Sequence, residues 1–110
     1  MSKFDEVLAG YADDAKTHGI STALLTGVAK GLGPSIYNAD SSKVSGSDQA
    51  ELDRVKANFL IKKLGLADSP ALDAAINEVI EAYGKSNRNK HRAIVYAMLA
   101  KKFGKEAQFV

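Results

Sequence analysis

The chain has 110 residues, with fifteen Lys/Arg against thirteen Asp/Glu and no cysteine. That length suits a single domain over residues 1–110 and is too short for two ordinary ones. The missing cysteines exclude disulfides, thiolate metal sites and cysteine nucleophiles, and agree with a reducing, cytoplasmic setting. The longest apolar run, residues 93–100, falls far short of the about 20 residues that span a bilayer. The opening Met-Ser-Lys-Phe-Asp-Glu lacks the basic-then-apolar order of a secretory signal.

Helical periodicity runs through the chain. Phe4, Val7, Leu8, Tyr11, Ala12 and Ala15 recur at spacings of three and four, which predicts a first helix stopped by Gly19. Ser21 caps a second helix carrying Leu24, Leu25, Val28 and Leu32. Gly27 and Gly31 weaken that helix by about 1 kcal/mol each relative to alanine, so their use is close packing. With Ala23 they form a smooth strip on which another helix backbone can lie. From 33 to 47 the pattern breaks into Gly-Pro, Asn38-Ala39-Asp40 and a Ser/Gly-rich stretch, with room for one helical turn at 41–44.

Asp48 with Glu51 three residues on reads as a capping box, and Leu52, Val55, Phe59, Leu60 and Leu64 follow before Gly65. Ser69 as cap and Pro70 at the first helical position open the next helix, whose stripe runs from Leu72 to Tyr83 and stops at Gly84. A last helix is expected from near Asn89 to Phe103, burying Ile94, Val95, Met98 and Leu99, with Lys101 and Lys102 at its negative pole. The reading is all-α, an irregular array of five to six short helices in one domain.

The motifs exclude more than they assign. The glycines of 27–33 match no phosphate-binding loop, since Val28, Leu32 and Pro34 follow them. Asn38, Asp40 and Ser42 mimic alternate calcium ligands, but Lys43 and Gln49 stand where such a loop needs glycine and glutamate. His18 and His91 have no paired spacing for zinc and read as solvent-facing, and Asp13 and Asp14 as a solvated face. No catalytic residue, metal or cofactor is expected.

One feature stands out. Residues 84–110 carry seven Lys/Arg against Glu106 alone, while the preceding 83 carry eight Lys/Arg against twelve Asp/Glu. Lys85, Arg88, Lys90 and Arg92 crowd with His91 at the start of the last helix, the positive pole, where a cation costs about 0.3–1 kcal/mol. Two offsets fit: pairing with acids such as Glu78 or Glu81, or an anion-binding site made by these four cations and the helix N–H groups. The second predicts a non-enzymatic binding module whose partner is a nucleic-acid backbone or another polyanion. The alternatives are a protein–protein adaptor with an exposed apolar patch, and an enzyme with a pocket joining groups such as Asp40 or His91.

Three segments are distinctive in combination: Gly-Pro-Ser-Ile-Tyr-Asn-Ala-Asp at 33–40, Asn-Phe-Leu-Ile-Lys-Lys-Leu-Gly-Leu at 58–66, and Gly-Lys-Ser-Asn-Arg-Asn-Lys-His-Arg-Ala-Ile-Val-Tyr at 84–96. On these the chain resembles a family of small bacterial proteins of unknown function. The resemblance implies an all-helical fold and a bacterial cytoplasmic origin, and carries no activity, cofactor or site residue. In the first segment Pro34 fixes a turn, with Ile36 and Tyr37 expected to anchor the crossing to the core. The competing reading is that this loop closes on the basic helix start around a small anion.

Overall fold

The computed structural model describes residues 3–37, 42–44, 46, 48–84 and 90–109, with Pro34 and Ser35 as backbone. Five α-helices form the frame: α1 (Lys3–Thr17), α2 (Thr22–Leu32), α3 (Gln49–Val55), α4 (Pro70–Tyr83) and α5 (Arg92–Lys102). A 3-10 turn, Gly33–Tyr37, extends α2, a π-helical stretch, Lys56–Ile61, extends α3, and a second 3-10 turn, Glu106–Gln108, follows α5. Among the described residues there is no strand, and the only β feature is an isolated antiparallel bridge between Lys43 and His91. The all-α reading therefore holds.

The boundaries follow local chemistry. Ser21 accepts the Leu24 N–H at 3.2 Å and Asp48 accepts the Ala50 N–H at 3.0 Å, each satisfying a donor that the helix itself leaves open. Pro70 occupies the first turn of α4, but Ser69 makes no side-chain cap bond there. Gly19 and Gly84 end α1 and α4 with φ of 69° and 108°, a region closed to most side chains. Glu51 does not complete a capping box. It turns inward to Arg54 and Arg92.

The core is one cluster to which every helix contributes, and α5 lies at its centre. Ala93, Ile94, Val95, Tyr96, Ala97, Leu99 and Ala100 are all buried, so the helix is apolar nearly all round, as an enclosed helix must be. Met98, expected with them, is only partly buried.

The α3 extension explains an irregularity in its stripe. Leu52, Val55, Phe59 and Leu60 fall at i, i+3, i+7 and i+8, one α-helical face, whereas Leu64 at i+12 lies one residue beyond the position that continues it, yet all five are buried. A π turn inserts one residue per turn and absorbs the slip. Its signature is the wide hydrogen bonds, Lys62 N–H to Ala57 O at 3.2 Å and Leu64 N–H to Phe59 O at 2.9 Å.

The glycine strip on α2 is used in an unexpected way. A Cβ on Gly27 would stand 1.9 Å from the carbonyl oxygen of Phe109, so the chain segment after α5, and not a helix, lies against the bare backbone. Gln108 Nε2 donates to Leu64 O at 3.4 Å and Phe109 stacks on Phe59, which ties this segment to the π turn as well.

Candidate functional site

The start of α5 is where the sequence concentrates cations, and the structure turns two of them inward. Lys90 is 2% exposed, and burial lowers its ammonium pKa. Arg92 is closed in by a polar network: its guanidinium donates to both Glu51 and the Lys43 carbonyl through Nη2, and to the Tyr96 hydroxyl at 3.1 Å through Nη1. Glu51 also accepts from Arg54 at 2.6 Å. Burial alone would raise the Glu51 pKa, but the hydrogen bonds from Arg54 and Arg92 outweigh it and hold the carboxyl below its usual value. Burial likewise works against the Arg92 charge, and Tyr96 and Glu51 outweigh it.

The backbone at this helix start is also engaged. The Arg92 N–H donates to Ser42 O at 2.7 Å and the Val44 N–H to Lys90 O at 2.8 Å, so residues 42–44 lie as an extended rung beside 90–92 instead of forming a helical turn. The helix accordingly begins at Arg92, later than the Asn89 expected. The adverse placement of Arg92 at a positive pole is offset by Glu51, not by Glu78 or Glu81; Glu78 pairs with Lys102. Lys90 is buried, and Arg92 keeps 15% of its side chain exposed. Lys85 and Arg88, like Asn38, Ala39 and Asp40, lie outside the described residues.

Beside this network, histidines read as solvent-facing join a half-buried cluster. The Tyr83 hydroxyl donates to Asp14 Oδ2 at 2.5 Å and accepts the His91 backbone N–H at 3.2 Å. The Tyr11 ring lies 4.6 Å from that of His91, and the Tyr83 ring 5.0 Å from that of His18. His91 Nε2 is 3.8 Å from Asp14 Oδ2, while its buried Nδ1 has no hydrogen-bond partner. Burial lowers the His91 pKa, with Asp14 opposing and Lys43 assisting, and burial followed by Asp14 raises that of Tyr83. Asp14 is therefore a structural acceptor, unlike its exposed neighbour Asp13.

A separate cleft of about 200 Å³ opens between α2, the π turn and α5. Val28, Leu32, Phe59, Tyr96 and Phe109 form its apolar walls. The three rings form a near-parallel stack, with Phe59 4.1 Å from Tyr96 and 6.0 Å from Phe109. Gly31, Asn58 and Lys63 surround the mouth. Nothing in the sequence reading selected this site; the signals that bear on it are the extra residue between Leu60 and the position that Leu64 takes in the stripe, and the two glycines of α2. Tyr37, expected to anchor to the core, is instead 40% exposed, and of the pair only Ile36 is buried.

These features define a small all-α protein with a polar network at the start of its central helix and an aromatic-walled cleft alongside. Residues 10–107 match the family described as protein of unknown function (DUF2853), and the chain belongs to it. No curated protein matches the chain.

Proposed function

We propose that the chain is a binding module, not an enzyme, and that its ligand site is the cleft walled by Phe59, Tyr96 and Phe109. The observation that carries this is the π turn under the cleft. Such turns are rare, give up regular hydrogen bonding, and recur where a helix is reshaped to serve a site. Here it places Phe59 and Asn58 on the cleft, one as wall and one at the mouth. Ligand sites combine apolar, aromatic walls with a few polar groups, and this one does. Its volume lies below the roughly 300–1,000 Å³ of drug-sized pockets, so it suits a single ring or a short acyl segment. An adaptor reading needs a broad exposed apolar patch; among the described residues Tyr37 alone is a large exposed hydrophobe. The cysteine-free composition supports a cytoplasmic setting, and no helix among the described residues is long and apolar enough to cross a membrane.

The test is a ligand-observed NMR screen of small neutral aromatic and aliphatic compounds against the whole chain, followed by amide mapping. Hits are expected to move the amides of Gly31, Asn58 and Phe109. Gly31→Phe, which places a ring in the mouth, should remove those shifts. Hits that map elsewhere and survive Gly31→Phe would refute the assignment.

A further inference from the structure

We infer that the cleft takes a small organic anion, an apolar body carrying a carboxylate, with Lys63 at the mouth as the group that reads its charge. The inference rests on the cleft being a ligand site and goes on to the ligand's chemistry.

Charge is the distinguishing element. Several cations of this fold have carboxylate partners: Arg54 and Arg92 share Glu51, Lys56 meets Asp68 and Asp73, and Lys102 meets Glu78. Lys63 is exposed and lines the cleft, and no carboxylate pairs with it among the described residues. Its Nζ lies 3.9 Å from the point where a Cβ of Gly31 would stand. Glycine there leaves the approach between the ammonium and the apolar walls open, and a large side chain such as Phe would fill it. The end of α2 is a negative pole, which accounts for the lysine resting over it, yet a helix pole carries only about half a charge and leaves the ammonium able to hold a full anion. Asn58 supplies a hydrogen-bonding amide on the same rim.

The rest of the cleft sets the other half of the ligand. The walls are aromatic and aliphatic, so a hydrated inorganic ion gains nothing from them, whereas a ring or short chain loses its water contact there. The small volume and single cation at this mouth match one charged group on a small body, not a polymer of phosphates.

The experiment is an amide-shift titration of the whole chain with three probes at matched ionic strength: benzoate, its neutral isostere benzamide, and inorganic phosphate. Benzoate should move Gly31, Asn58, Lys63 and Phe109 with millimolar affinity. Benzamide should bind the same residues about five-fold more weakly, the scale of one partly exposed charge contact. Phosphate should leave them unmoved. Lys63→Gln should bring benzoate down to the benzamide level. Equal binding of benzoate and benzamide would overturn the charge assignment and leave the cleft reading standing. Phosphate binding as tightly as benzoate would overturn the apolar body. Failure of both organic probes to bind would overturn the inference and the cleft reading together.

Discussion

Gly10 and Gly27 both lie inside helices, and replacing each by alanine is formally the same change with opposite expected results. Alanine in a helix interior is favoured over glycine by about 1 kcal/mol. At Gly10 a Cβ meets nothing within 4 Å, so Gly10→Ala should stabilise by up to about 1 kcal/mol. At Gly27 it would meet Phe109 O at 1.9 Å and Phe109 C and Cβ at 2.8 Å, which is backbone that cannot rotate aside. The segment must lift away. Phe109 is half-buried, so its release forfeits about 1 kcal/mol of burial, about 1 more of ring stacking on Phe59, and about 1 for the Gln108 bond to Leu64. Set against the helix gain, Gly27→Ala should destabilise by about 2 kcal/mol, a fall in Tm of roughly 8–16 °C for a chain of this size. Urea unfolding followed by circular dichroism measures both variants, and the Phe109 ring resonances report release of the segment. If both substitutions stabilise alike, Phe109 does not rest on Gly27 and the cleft lacks that wall.

Two further outcomes follow from the polar groups around the start of α5. Arg92→Met leaves Glu51 buried with Arg54 alone and should cost about 2–4 kcal/mol, while adding Glu51→Gln should cost less than the sum of the single changes, with about 1–2 kcal/mol of coupling in a double-mutant cycle. Additive losses would show that the pair is not formed. His91 is held below its ordinary 6.5 by burial, with Asp14 on α1 and Lys43 on the extended segment facing it, the Tyr11 ring packed on it and the Tyr83 hydroxyl at its backbone N–H. The unfolded chain then binds its proton more readily than the folded one, so this contribution is intact above pH 6.5 and is lost as pH falls toward the folded value. Stability measured between pH 8 and 5 should decline on the acid side, and His91→Gln should flatten that decline; an unchanged slope would refute it.

The helices were legible because periodicity and punctuation agreed. Ser21, Asp48, Pro70 and Gly84 sit at or next to the ends that the structure shows, Gly19 two residues past the end of α1 and Gly65 four past the π-helical stretch. What escaped was long-range pairing. Glu51 satisfies the local rule for a capping box, but a guanidinium forty-one residues away competes for the same carboxylate, and a buried charge partner outweighs one backbone N–H. Lys90 and Arg92 likewise read as a surface cluster because burial of a cation is costly unless something distant compensates it, and that partner is invisible in a linear reading. His91 and Asp14 belong to one cluster only because Tyr83 brings α1 and α4 to the same place. The cleft was hidden for a related reason: the one-residue slip at Leu64 is visible in the sequence, yet its meaning depends on Phe109 arriving from a distant segment.

The position of α5 has a consequence for how the protein is made. The central helix, against which α1, α2 and α4 pack, follows the other four helices in the chain, so the first ninety residues emerge from the ribosome with apolar faces turned toward a centre that does not yet exist. Closure of the core must therefore wait until α5 has emerged, and a product halted at Gly84 would be a loose collapsed coil and a natural substrate for chaperones or proteases.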